Sequence, residues 1–289
     1  MAINQNDGSD KQPQSSEMTY HALFDLRGKV AVVTGGAGIL GRHFCTGLAE
    51  FGANIAVVDL QTEKAQELAQ VLAVRYGVKA IGYGCDVSDP ISVQTMVANV
   101  VAAFGEINIL HNNAAGKSDD LDAFFAPFEE YRLDQWRAIM AVNLDGMFLV
   151  AQAIGKQMVA QGKGGSIIQT ASIYGVMAPD HRIYEGSFYL GRQINTPAVY
   201  TASKAAVIGL TKHLATYWAD KGIRVNTLTP GGTESGQNDE FKRRYATRIP
   251  LGRMANAPEM VGALLYLAAD ASSYVTGQNI IVDGGLDCW

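Results

Sequence analysis

The chain has 289 residues, 48% of them hydrophobic, and 23 basic against 28 acidic side chains give a net charge of −5. That length fits one large α/β domain or two small ones, the apolar share suffices for a sizeable core, and the acidic balance gives no hint of nucleic acid as a partner. Three scattered cysteines (Cys45, Cys85, Cys288) suggest neither a disulfide framework nor a thiolate zinc site, and the five histidines show no paired spacing, so no metal is expected.

Met1 to about His21 is polar, without an apolar run, and reads as a flexible tail over 1–22 rather than a signal peptide or an anchor. No apolar stretch reaches the length needed to span a bilayer, so a cytoplasmic protein with no membrane partner is expected. Lys29–Val33 is a short apolar run that stops at Thr34-Gly-Gly-Ala-Gly-Ile-Leu-Gly41. A helical pattern follows to Gly52, and the strand Asn54–Val58 ends on Asp59. Strand, glycine-rich turn, helix, strand and terminal acid form a mononucleotide-binding unit. Its glycines permit a tight turn, and the helix N-terminus faces a pyrophosphate. The acid stands 24 positions after Gly35, which makes the pattern far more specific than the glycines alone.

The alternation continues with a helix over 63–76, a strand over 79–84 that leads to Cys85-Asp86-Val87, and a helix capped by Asp89. A strand over 107–111 opens into Asn112-Asn-Ala-Ala-Gly116, and a long helix over 134–161 contains Asn143. The strand Gly165–Ser172 precedes Ala198-Val-Tyr-Thr-Ala-Ser-Lys-Ala-Ala206, the start of a buried helix. Spacing of four stacks Tyr200 and Lys204 on one helix face, where an ammonium would favour the phenolate and lower the tyrosine pKa. Tyr217 and Lys221 share that spacing, but Lys221 precedes Gly222, where a cation suits a helix end. A strand over 223–228 ends at Thr229-Pro-Gly231; a helix over 258–269 and a strand over 278–283 close the pattern. Alternating strands and helices imply an α/β fold: one doubly wound, seven-stranded parallel sheet with helices on both faces, in a single domain over 23–289.

These motifs, in this order, resemble the short-chain dehydrogenase/reductase family, in its compact one-domain branch, over about residues 24–286. The resemblance rests on Thr34–Gly41, Asp86-Val87, Asn112–Ala115, Asn143, Ser172, Tyr200–Lys204, Pro230-Gly231 and the closing Val282-Asp-Gly-Gly285. It implies a Rossmann fold and a catalytic tetrad of Asn143, Ser172, Tyr200 and Lys204. Tyr200 would be the acid/base, and Lys204 would depress its pKa and bond the nicotinamide ribose. Ser172 would hold the substrate oxygen, and Asn143 a water that links Lys204 to solvent. It further implies a cofactor site of Gly35, Gly38, Ile39, Leu40, Gly41, Asp59, Leu60, Asp86, Val87, Asn112, Ala114, Pro230, Gly231 and Thr233 alongside Tyr200 and Lys204. The assembly implied is a homotetramer, a dimer of dimers. The expected cofactor is NAD(H), because Asp59 would accept the ribose hydroxyls and repel a 2′-phosphate.

Three departures from the family pattern stand out. Ile39 replaces a usual glycine, Asn112-Asn-Ala-Ala-Gly carries an extra alanine, and Ser172 and Tyr200 are 28 positions apart, about twice the family's spacing. The resulting insertion, 173–199, is expected to choose a small polar substrate, a sugar, sugar acid or polyol, through Arg182, Tyr184 and Arg192, with Gly231–Asn238 as a lid. A cofactor-retaining epimerase or dehydratase and a catalytically silent nucleotide-binding protein are the alternatives.

Overall fold

The computed structural model describes residues 19–118, 120–189 and 191–289, with only the backbone at 189. Most of the expected tail and Leu190 of the insertion lie outside the described residues, while Tyr20–Phe24, across the expected boundary, is a 3-10 helix. The strands β1 (Val30–Thr34), β2 (Asn54–Asp59), β3 (Ala80–Gly84), β4 (Ile109–Asn112) and β5 (Gly165–Thr170) carry apolar side chains on both faces. So continuous an apolar pattern suits a sheet covered by helices on both sides. A two-residue hairpin, β6 (Phe188–Tyr189) and β7 (Arg192–Gln193), stands apart. With β8 (Ile223–Pro230) and β9 (Asn279–Val282), the main sheet has the order β3-β2-β1-β4-β5-β8-β9 and every pairing is parallel. The order reverses between β1 and β4, and the carboxyl ends of the strands beside that reversal are where an open α/β sheet binds its ligand.

The helices are α1 (Gly41–Glu50), α2 (Thr62–Tyr76), α3 (Pro90–Phe104), the short α4 (Leu121–Phe124), α5 (Leu133–Met140), α6 (Gly146–Gln161), α7 (Ala198–Tyr217), α8 (Asp239–Ala246) and α9 (Val261–Ala268). Asp89 caps α3 as expected, its carboxylate accepting from the Ile91 and Ser92 N–H groups. One core layer joins α1, α2 and α9 to one face of the sheet, and the other joins α3 and α6 to the opposite face. A third apolar cluster, built around Tyr184, Phe241 and Tyr245, sits beyond the strand ends.

Three sequence expectations differ from the structure. The helix over 134–161 is interrupted by a π-helical turn, Ala141–Asp145, with Asn143 at its centre; such turns insert one residue and re-aim side chains. The run Leu133–Gln161 is long and apolar enough to cross a membrane by length and composition, contrary to the expectation that no stretch would be. Its apolar residues Val150, Ile154 and Met158 pack on the sheet, and 44% of its most apolar window is buried. Finally, α8 was not foreseen, although Asn238 caps it and its first turn is acidic and its last basic.

Candidate active site

A cleft of about 630 Å³ opens over the carboxyl ends of the strands. Its floor is the β1–α1 turn. Gly35 takes φ +61°, a left-handed conformation that a side chain resists. A Cβ on Gly41 would fall on the Gly35 carbonyl oxygen, so the turn can close this tightly only with glycine there. No side chain caps the N-terminus of α1, which leaves backbone N–H groups for an anion in the cleft. Asp59 lies at the far end. Its carboxylate accepts from the Ala37 N–H at 3.0 Å and the Gln61 N–H at 3.1 Å, so it also ties the glycine turn to the end of β2.

Every residue expected to hold a cofactor lines this cleft except Asn112. That amide is fully buried. It donates to the Met147 carbonyl and to Gln169 Oε1, both at 2.8 Å, and accepts from Thr34 Oγ1 at 3.2 Å. It is a peg between strands, and its neighbour Asn113 faces the cleft. Thr34 works with it, accepting from the Asn113 and Ala114 N–H groups at 2.9 and 3.0 Å. Lys117, Val142 and Thr170 also line the cleft and were missed; Val142 shares the π turn with Asn143, and Lys117 directly follows the Asn112–Gly116 run.

The four expected catalytic residues converge from three elements. Ser172 stands just past the end of β5, Tyr200 and Lys204 lie on α7, and Asn143 lies in the π turn. Ser172, Tyr200 and Lys204 line the cleft. Asn143 sits behind it, its Oδ1 accepting from the Gly116 N–H at 2.8 Å while its Nδ2 is buried without a protein partner. Burial pushes the Tyr200 phenol above its ordinary pKa, and the Ser172 hydroxyl beside it pulls the other way. Lys204 is not among the groups that shift the phenol here. The Lys204 ammonium donates to the Thr170 carbonyl at 3.0 Å and lies 5.9 Å from the Tyr200 ring centre. Burial brings its own pKa down to about 8, since a desolvated ammonium is disfavoured.

A second cleft of about 390 Å³ adjoins the first, with Ser172 and Tyr200 common to both. The insertion supplies Tyr174, Tyr184, Asn195 and Thr196, the stretch after Gly231 supplies Ser235 and Gln237, and α8 adds Phe241 and Tyr245. Arg182 and Arg192, expected to grip an acidic substrate, do not line it. Arg182 makes two bonds of 2.8 Å to the Asp180 carboxylate and is 81% exposed; Arg192 bonds Asp122 at 2.5 Å. A carboxylate two residues away satisfied the first guanidinium before any ligand could. The insertion is instead clasped to α8, where Arg244 donates to Glu185 at 3.1 Å and to the Arg182 carbonyl at 3.0 Å, and Arg248 pairs with Asp180.

Comparison with known proteins agrees with this geometry. A family model described as enoyl-(acyl carrier protein) reductase matches residues 35–287. A short-chain type dehydrogenase/reductase from Mycobacterium marinum superimposes with a TM-score of 0.82 at 36% identity, over 94% of this chain and all of that one. The chain belongs to the short-chain dehydrogenase/reductase family. Among its relatives, a D-threitol dehydrogenase of Mycolicibacterium smegmatis is 38% identical over 94% of this chain and 98% of its own length. A gluconate 5-dehydrogenase from Burkholderia cenocepacia, solved with NADP and tartrate, has a TM-score of 0.82 at 35% identity, covering 93% of this chain and 99% of that one. As a family member the protein is an oxidoreductase that uses a nicotinamide dinucleotide to interconvert alcohols and ketones.

Proposed function

We propose that this chain is an NAD(H)-dependent dehydrogenase of small uncharged polyols and their ketoses. The observation that carries the reading is the meeting of two clefts at Ser172 and Tyr200, one floored by the glycine turn and Asp59, the other lined by hydroxyls and amides. Among the described residues the second cleft has no Asp, Glu or Arg, and Lys117, shared with the first cleft, is its one charged side chain. The relationship to a D-threitol dehydrogenase points the same way.

The residues divide the work. The glycine turn and the uncapped end of α1 suit the dinucleotide's phosphates, and Asp59 suits its adenosine ribose. Bound there, the nicotinamide accepts or returns the hydride, which is the chemistry the cofactor supplies. As a ketone is reduced, the protonated Tyr200 phenol gives its proton to the substrate oxygen while Ser172 holds that oxygen as charge develops on it, and oxidation runs the same steps backwards. Lys204, about half protonated near pH 8, is placed to exchange that proton with Tyr200. A carboxylate beside the ribose favours NAD over NADP; relatives differ in this, and the gluconate enzyme was solved with NADP. We read residues 23–289 as one catalytic domain of a cytoplasmic homotetramer, which light scattering on the purified protein tests. The function is tested by offering NAD, and separately NADP, with threitol, arabinitol and gluconate. Faster NAD reduction with the polyols is expected; activity on gluconate alone would overturn the proposal.

A further inference from the structure

Three hydroxyl groups run in a chain along the wall of the second cleft. Tyr184 Oη donates to Tyr174 Oη at 3.2 Å, and the Tyr184 and Thr196 hydroxyls are hydrogen-bonded. The Tyr174 N–H donates to Ser172 Oγ at 3.3 Å, and Tyr174, Tyr184 and Thr196 line the cleft together with Ser172 and Tyr200. Tyr184 is fixed by stacking on Phe241, with ring centres 5.7 Å apart, and Phe241 packs against Tyr245, whose buried hydroxyl neighbours that of Tyr174. Burial pushes the pKa of all three tyrosines up, so each keeps its proton across the physiological range and works as a neutral hydrogen-bonding group.

The protons can be counted. Three hydroxyls joined by two bonds use two of their three protons. Because Tyr184 donates to Tyr174, the remaining proton is on Tyr174, where it can turn to the Tyr245 hydroxyl or into the cleft. An O–H buried in a cleft wall is costly to leave unpaired. A second hydroxyl on the carbon next to the one that reacts is a partner of matching chemistry: it is neutral, and it both donates and accepts.

We infer that Tyr174, held in place by Tyr184 and Thr196, donates a hydrogen bond to the substrate hydroxyl adjacent to the reacting carbon and thereby selects vicinal polyols over simple alcohols. Tyr174 is a substrate-contacting residue in this scheme, whereas Tyr184 and Thr196 are positioning residues. The inference rests on the polyol reading of the site.

The test compares threitol with 2-butanol, which has the same four-carbon skeleton and a single hydroxyl. For each enzyme the quantity read is the ratio of kcat/KM for threitol to that for 2-butanol. Tyr174→Phe should lower this ratio by about tenfold or more, because a site built to bond a hydroxyl loses its discrimination when the bonding group goes. Tyr184→Phe should lower it in the same direction by a smaller factor, and it carries the test if Tyr174→Phe does not fold by thermal melting. Tyr217→Phe, exposed on α7 away from the clefts, should match the wild type. An unchanged ratio in a folded Tyr174→Phe or Tyr184→Phe enzyme overturns the inference and leaves the polyol reading standing. A wild-type enzyme that oxidises 2-butanol but no polyol overturns both.

Discussion

The two clefts that meet at Tyr200 are built in different ways. The cofactor side is shaped by backbone: glycines at a turn, a helix end without a cap, and strand ends pegged by Thr34 and Asn112. The second cleft is shaped by side chains borrowed from an insertion and from α8, which are joined by ion pairs and stacked rings. Backbone constraints leave few residue choices, so the first side carries a motif. Side-chain walls leave many, so the second does not. Substitutions on the two sides should therefore fail differently: the cofactor half through binding, the substrate half through selectivity.

The largest effect is expected where the halves meet. Tyr200→Phe keeps the ring and removes the proton donor, so kcat should fall by about a thousandfold or more. NAD affinity, read by calorimetry, should change by less than about threefold, within 0.7 kcal/mol. Losses of comparable size in Tyr217→Phe would show that the wrong face of α7 has been assigned to catalysis.

Next comes the cofactor half. The wild type should prefer NAD over NADP by about a hundredfold in kcat/KM, since like-charge repulsion and a lost paired contact together amount to about 2.7 kcal/mol. Asp59→Asn should bring that preference below about tenfold, because the amide no longer repels a phosphate. A wild-type preference for NADP would undo the role given to Asp59.

Lys204 gives an effect on stability, not on turnover, with a definite sign. Its folded pKa of about 8 lies below the ordinary 10.5. Below pH 8 the ammonium is charged in the folded and unfolded states alike, and the full burial penalty is present. Between pH 8 and 10.5 the folded protein has released the proton and the unfolded chain retains it, so stability rises with pH. Measured by urea unfolding, the wild type should gain up to about 3 kcal/mol over this range relative to Lys204→Met. A flat difference between the two would mean that the lysine is not desolvated.

The smallest effects belong to the surface guanidiniums. Arg182→Ala and Arg192→Ala should each change KM for threitol by less than about twofold, since exposed ion pairs contribute about 0–1 kcal/mol. A tenfold rise in either would return that arginine to the substrate site.

How much of this was legible in the sequence follows from the same division. The seven strands, their parallel order and the Asp89 cap could be read from apolar runs and capping residues, because each depends on local chemistry. Gly35, Gly41 and Asp59 could be read from spacing. Asn112 was misplaced because two adjacent asparagines offer no local signal for which one turns inward. Arg182 and Arg192 were misassigned because their carboxylate partners, Asp180 and Asp122, are found by the folded chain and not by pattern. Tyr174 and Tyr245 were overlooked because their hydroxyls acquire meaning only when α8 folds over the insertion.

The π turn at Ala141–Asp145 has a consequence for how this helix can change over generations. One residue more or less in a helix rotates everything after it by about 100°. Deleting a residue here would restore a regular helix but swing Val150, Ile154 and Met158 off the sheet, or else turn Asn143 away from Gly116. The core guards the register on one side and the Asn143–Gly116 bond guards it on the other. Point substitutions can accumulate along α5 and α6, but a single-codon deletion between them would be purged twice over.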